Sequence, residues 1–399
     1  MVEEELEQER GRRLRAAHRV VIKLGTSIVN GTGGEVCFER VGPLVASIAD
    51  LKKAGRQVVL VSSGAVGLGA GHLGLHRSRV REMVTRKACA AVGQSLLMHA
   101  YEKLFGAHEV RIAQVLLTEE DFTDWRRYMN LRRTMEKLLK LGVLPIVNEN
   151  DTVSTAELEY LANGPERIFD DNDRLAALVM SKLDSDALVL LTNVEGLLRR
   201  GAKRAADAPA EAVESEVIPL VEEITHELRA LATGPSAGGR GGMLTKLEAA
   251  QIALRAGGMA LIANGMKPDI LHRVFAGEPL GTTFMSKTRM AGKRRWIAYA
   301  ASVRGRLIVN EGAREAILGG KASLLASGVV GVEEQFEPQD VVAIADSEGR
   351  EFARGIVNCA SEEAAALIRR GEKTDAAGPL TARARVLVTR DNIVLLEKR

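Results

Sequence analysis

From Val20 to about Ala263, short apolar runs alternate with amphipathic stretches, and this alternation restricts the fold more than any other property of the chain. Strand-like runs lie near 20–24, 57–61, 111–116, 143–147, 187–191 and 259–263, rich in Val, Leu, Ile and Ala. Between them, 40–54, 82–105, 126–141 and 244–256 repeat apolar residues every three or four positions, as one helix face does. Gly55 and Gly257 stand where the first and last of these helices would stop. Strands separated by helices, with little polar alternation inside the strands, indicate an α/β fold: an open, mostly parallel sheet sandwiched by helices.

At 399 residues the chain exceeds one ordinary domain, and near Val303 the pattern changes. Strand-like runs at 306–309, 341–345, 351–357 and 385–388 follow, separated by Gly, Asn and Asp turns, as in a small β-rich domain. The expected division is a charged N-terminal extension over 1–17, a large α/β domain over 18–298 and the β-rich domain over 303–399. The polar, Ala-rich stretch 199–216 reads as a mobile connection that either covers a ligand or merely links. Three widely spaced cysteines without a CxxC pair fit a reducing compartment and no zinc site. The first residues have no apolar core for a signal peptide, and no later run is long enough to span a bilayer, so a cytoplasmic location is expected. A net charge of +3 points to no partner, and 4% aromatic content argues against a stacking surface for nucleic acid.

Five segments place chemistry at the ends of the expected strands. In VVIKLGTS, Lys23 projects past the carboxyl end of the first strand, where open α/β sheets hold ligands. Gly25 would allow a tight turn, and Thr26 and Ser27 add phosphate donors; the plain alternative is a lysine beside an ordinary turn. VLVSSGAVG runs the second strand into Ser62, Ser63 and Gly64, offering hydroxyls and bare amides to an anion, or simply a serine-rich turn. The glycines from Gly67 to Gly74 read as a loop; Gly69–Gly74 matches GxGxxG by letter but lies too far past the strand for a dinucleotide site. His72 and His76 flank Gly74 in that run and read as loop residues, not metal ligands.

PIVNENDTV crowds Asn148, Glu149, Asn150 and Asp151 after a strand. Asp151 suits a substrate ammonium and the asparagines its carboxylate, although Asn and Asp also build turns. In IFDDNDRLAAL one of Asp171, Asn172 and Asp173 is expected to cap a helix, and the surplus carboxylates could hold lysine ammonium groups. GGRGGMLTK leads a glycine run into a helix bearing Lys246, within reach of phosphates yet without the GK[ST] of a Walker A loop. Together these suit a carboxylate attacking ATP, where the protein's task is alignment and charge neutralisation by two lysines and Mg²⁺.

In this order, with TNVEG (192–196) between the fourth and fifth, the segments resemble the amino acid kinase family, and NEND with DNDRLAAL and GGMLTK resembles its glutamate-phosphorylating branch. NEGAREAIL and SLLASGV in the C-terminal part resemble a PUA domain, a pseudo-barrel. The resemblance spans nearly the whole chain. It implies Lys23 and Lys246 as phosphoryl-stabilising lysines, Asp173 as their organiser, and Ser63, Asp151 and Asn172 against glutamate, with Asn148 and Asp171 beside it. It further implies that Thr192, Asn193 and the loop Arg240, Gly241, Gly242, Met243, Leu244, Thr245 and Lys246 hold ATP, with Mg²⁺ on its phosphates and no protein metal site.

The implied product is L-glutamyl 5-phosphate, the first intermediate of proline synthesis. Proline is the implied inhibitor, a homo-oligomer (dimer or tetramer) the implied assembly, and glutamate-5-semialdehyde dehydrogenase the implied functional partner. Asn193, Leu198 and Arg240 replace the more usual Asp, Tyr and Thr, all on the nucleotide side. The rivals are a kinase for aspartate or acetylglutamate, and an RNA-binding PUA protein with an inert kinase fold. The stretch 303–399 holds 14 Lys and Arg against 15 Asp and Glu, which gives no basic footprint for RNA. In a third, structural reading the C-terminal domain is an appendage for assembly or regulation.

Overall fold

The computed structural model describes residues 2–76, 79–154, 172–199, 216–232, 242–286, 297, 303–320, 322–373 and 385–396. The chain divides into two compact units, Met1–Arg289 and Met290–Arg399.

Helix α1 (Val2–Ala16) precedes β1 (Arg19–Leu24), the short α2 (Thr26–Val29), α3 (Phe38–Lys53), β2 (Gln57–Ser62), α4 (Ala65–His72) and α5 (Met83–Gly106). Then come β3 (Ile112–Leu117), α6 (Trp125–Lys140), β4 (Leu144–Glu149), α7 (Asn172–Lys182) and β5 (Ala187–Thr192). A two-residue ladder, β6 (Leu198–Arg199) with β7 (Glu216–Val217), follows, and then β8 (Leu220–Val221). The first unit closes with α8 (Met243–Arg255), β9 (Met259–Asn264), α9 (Ile270–Ala276) and β10 (Thr282–Phe284). All six expected strands are present, each within a residue or two of its expected bounds. The 199–216 connection lies outside the described residues except at its two ends, which pair in the small ladder.

The sheet runs β3-β4-β2-β1-β5-β9-β10-β8, and every pairing is parallel except β9 with β10. β1 sits centrally between β2 and β5, so the chain builds outward on one side of β1 and then crosses to the other. Such a reversal opens a crevice at the carboxyl ends of the strands.

Side-chain alternation assigns the two faces. Val20, Ile22 and Leu24 join α1, α3, α5 and α9 in one buried core. Val21 joins α7 and α8 in the other, through Ala176, Ala177, Ala249, Ala250 and Ala253. Lys23 shares the parity of Val21, so it points toward α7 and α8.

One feature departs from the sequence reading and a second adds to it. The glycine run after β2 is a helix, α4, not a loop. Its glycines serve close packing: a Cβ on Gly69 would stand 1.8 Å from Cys89 O, and one on Gly93 would stand 1.7 Å from Ala65 O. Glycines at both contact points let α4 and α5 touch backbone to backbone, and this outweighs the low helix propensity of glycine. His72 ends that helix, and Gly74 follows in a turn at φ 61°.

The charged extension is likewise a packed helix. Leu14 and Ala17 enter the core, and the 2% exposed Arg10 donates from Nη2 to Gly277 O at 3.0 Å. Arg15 reaches Ala276 O and Arg13 reaches Ser286 O, so two arginines of α1 meet carbonyls at the end of α9 and a third meets one just past β10.

The second unit holds a six-stranded sheet, β12-β16-β15-β14-β11-β13. Its strands are β11 (Val303–Val309), β12 (Leu324–Leu325), β13 (Val329–Glu333), β14 (Val341–Ala345), β15 (Glu351–Val357) and β16 (Val386–Leu395). Only β11 with β14 is parallel. Leu307, Val342, Ile344, Phe352 and Leu387 form its core, and the buried Ile297 packs with Val341, Ile356 and Val394.

Candidate active site

Lys23 is the fifth residue of β1, and its register with Val61 of β2 and Leu190 of β5 places it at the carboxyl edge of the sheet. Its Nζ lies 2.6 Å from Asp173 Oδ1, and Lys246 Nζ donates to Asp173 Oδ2 at 3.0 Å. Asp173 is the second residue of α7 and Lys246 the fourth of α8, so the packing of these two helices on the β1 face brings the three together. All three are buried. Burial alone would push the Asp173 carboxyl up, but the ammonium groups of Lys23 and Lys246 hold it below its usual range. Asp173 is therefore a charged carboxylate paired with both lysines inside the first turn of α7, and not its cap. Thr245 Oγ1 approaches the same Oδ2 at 3.4 Å and donates to Gly242 O at 2.9 Å.

A second, polar cluster sits beside this triad. Asn172 Nδ2 donates toward Ser63 Oγ at 2.8 Å, Asn148 Oδ1 at 3.0 Å and Ser62 O at 3.2 Å. Two hydrogens serve three acceptors, so one is shared. Because Ser63 Oγ accepts from Asn172, its own proton is not used in that contact. Asn148 Nδ2 in turn donates to Gln94 Oε1 of α5 at 2.9 Å. Gly64, at φ 108°, turns the chain from β2 into α4. Gly25, in contrast, has an ordinary φ of −73° and precedes α2 without using glycine's extra freedom.

Asp151 and Thr152 line an open cavity of about 660 Å³ between α5 and β3, together with Gln94, Ser95, Met98 and His99. Thr192 ends β5 and touches Asn193, Thr192 Oγ1 to Asn193 Oδ1 at 3.3 Å. Gly25 N donates to Leu191 O, which fixes the neighbouring carboxyl ends of β1 and β5. Gly242 precedes α8, Met243 packs into the core below it, and Leu244 is exposed. Asp171, Arg240 and Gly241 lie outside the described residues.

The structure thus joins Lys23, Asp173, Thr245 and Lys246 in one group and Ser63, Asn172 and Asn148 in another, linked because Asn172 and Asp173 are adjacent in the chain. Asp151 opens on the cavity, and Thr192 and Asn193 mark the β5 side. Gln94 escaped the sequence reading because one amide on a long amphipathic helix looks like any half-exposed glutamine. Its only signal was the small-residue run AAVG before it.

The model of the amino acid kinase family matches residues 18–264, and the PUA domain model matches 305–397. The chain is 47% identical over 348 residues to the glutamate 5-kinase of Myxococcus xanthus, covering 86% of this chain and 87% of that one. It is 40% identical over 384 residues to the glutamate 5-kinase of Caldanaerobacter subterraneus, covering 95% and 98% of the two chains. The glutamate 5-kinase of Moorella thermoacetica is 42% identical over 388 residues, covering 96% and 97%.

Proposed function

The chain belongs to the amino acid kinase family and carries a PUA domain, and from that premise we propose that it phosphorylates the side-chain carboxylate of L-glutamate with ATP. The observation that carries this reading is the convergence of Lys23 and Lys246 on the two oxygens of Asp173, next to the Ser63, Asn172 and Asn148 cluster.

A glutamate carboxylate oxygen attacks the γ-phosphorus of ATP. The new O–P bond forms as the bond from that phosphorus to the β,γ-bridging oxygen breaks, and ADP leaves with the electron pair. No proton moves, so no general base is needed, and the burden on the protein is electrostatic. Lys23 and Lys246 offset the charge spreading over the transferring group and the leaving oxygen. Asp173 keeps both ammonium groups aimed, so little reorganisation accompanies the reaction. Ser63 Oγ and the Asn172 and Asn148 amides hold the acid, with Asp151 facing its ammonium group. Thr192, Asn193 and the Arg240 to Lys246 segment hold the nucleotide.

Among the described residues no three His, Cys, Asp or Glu side chains are grouped to hold a metal, and lysines take both oxygens of Asp173. Mg²⁺ would enter on the nucleotide phosphates, where it would supply further positive charge beside Lys23 and Lys246.

The same reading carries feedback by proline at the acid site, assembly into a dimer or tetramer, and a cytoplasmic location. It also carries a link to glutamate-5-semialdehyde dehydrogenase, since an acyl phosphate hydrolyses readily and gains from prompt use. No described helix is long and apolar enough to cross a membrane.

The test is turnover of the purified protein in a hydroxamate assay with glutamate, aspartate and acetylglutamate, each with and without proline. ATP-dependent product with glutamate alone supports the reading. A preference for another acid, or salt-sensitive RNA binding without turnover, replaces it.

A further inference from the structure

The polar cluster that faces the acid is braced at two points by one helix. Gln94 and Tyr101 stand two turns apart on α5, hence on one face of it. Gln94 holds Asn148, as described above. Tyr101, only 1% exposed, places its hydroxyl 2.7 Å from Ser62 Oγ, which is itself wholly buried. Ser62 Oγ donates to Ser63 O at 3.0 Å, which uses its one proton, so the Tyr101 hydroxyl is the donor between the two. Burial pushes the Tyr101 phenol above its ordinary value, more than the Ser62 contact lowers it, and this keeps that proton in place.

The chain of contacts then continues outward. Asn172 Nδ2 reaches both Ser62 O and Ser63 Oγ, and it returns through Asn148 to Gln94. Ser63 N donates to Leu24 O, next to Lys23, so the Ser62–Ser63 turn also fixes the spacing between the acid cluster and the lysine strand.

We propose that Tyr101 is a positioning residue for the acceptor acid: its hydroxyl, acting through Ser62, sets the orientation of the Ser63 and Asn172 groups without touching substrate. The proposal rests on the reading of Ser63 and Asn172 as acid-binding groups. Phenylalanine at this site keeps the ring and its contact with Phe105, whose centroid lies 6.1 Å away, and removes only the hydroxyl.

The experiment is steady-state kinetics on the full chain with Tyr101→Phe, Ser62→Ala and the double variant, alongside thermal melting. In Tyr101→Phe, KM for glutamate rises roughly five- to tenfold, the range that losing one hydrogen bond allows, while KM for ATP stays within about twofold. Ser62→Ala has a similar effect, and the double variant is no worse than the more affected single, because both substitutions cut one relay. A KM for glutamate that stays unchanged in Tyr101→Phe, equal rises in both KM values, or fully additive effects would overturn the proposal. If Tyr101→Phe fails to fold, Ser62→Ala decides alone by the same split between the two KM values. Failure of the underlying reading shows separately, as wild-type protein without glutamate-dependent turnover.

Discussion

Lys23 and Asp173 meet at 2.6 Å, Nζ to Oδ1, with the carboxylate wholly buried, although one is next to last in a central strand and the other second in a helix far along the chain. Since Lys246 takes the other oxygen, two ammonium groups share one carboxylate, and the three side chains sum to one positive charge. Asp173→Asn keeps the size of the side chain but sets two cations around a neutral group, so they repel each other and lose their aim. We expect kcat to drop by about 100-fold or more, the scale for losing a preorganised electrostatic group. Measured ADP release at saturating glutamate checks this, and a loss below about threefold would remove Asp173 from the mechanism.

Lys23→Met and Lys246→Met each disrupt the same triad, and residues acting as one unit give losses that do not add. Each single variant is expected to lose about 100-fold in kcat, and the double variant far less than the product of the two. Full multiplication of the losses would show two lysines acting independently.

Gly93→Ala tests the contact between α4 and α5. A methyl group there would stand 1.7 Å from Ala65 O and 2.6 Å from Gly69 N, both backbone atoms that can only move with their helix. Overpacking of this kind costs about 1–3 kcal/mol, and shifting α4 also moves Gly64 and Ser63 at its start. A lower Tm together with a raised KM for glutamate is the expected result; an unchanged Tm would mean the helices separate freely.

How far such contacts could be read beforehand follows from their range. Lys23, Asp173 and Lys246 were legible because each sits beside a strand or helix end marked by local pattern, and family resemblance put them together. The course of the sheet was legible for the same local reason. The helix over 65–72 was not, because four glycines in ten residues suggest a loop until a partner backbone is known to press against them. Gln94 was hidden likewise, since its partner Asn148 lies in another element. The α1 helix was hidden because its charges look solvated, while Arg10 in fact turns inward to a carbonyl beyond the end of α9.

Arg10→Ala tests that helix. Burial lowers the Arg10 pKa, with Glu7 acting in the opposite sense, and its guanidinium caps Gly277 O, so truncation leaves a carbonyl short of a donor and a gap beside it. A loss of about 1–3 kcal/mol is expected, read as a Tm lower by several degrees with KM values little changed. A Tm equal to that of the wild type would make α1 an ornament on the fold.

Lys182 gives a pH-dependent test away from the active site. Only 8% exposed, its ammonium stands 4.6 Å from the centre of the Tyr128 ring, and burial, then the nearby Arg132 charge, lowers its pKa to about 8. An unfolded lysine titrates near 10.4, so between about pH 8 and that value the unfolded chain binds more protons than the folded one. Stability contributed at this position therefore rises with pH across that window, and below about pH 8 the full cost of a buried charge, roughly 3 kcal/mol, is present. Lys182→Met removes the titration, while the bond from Tyr128 Oη to the Lys182 carbonyl, at 3.2 Å, belongs to the backbone and remains. The difference in Tm between the variant and the wild type should favour the variant near pH 7 and shrink steadily toward pH 10. A difference that is constant with pH would mean that Lys182 keeps an ordinary pKa in the folded protein, with its charge reached by water.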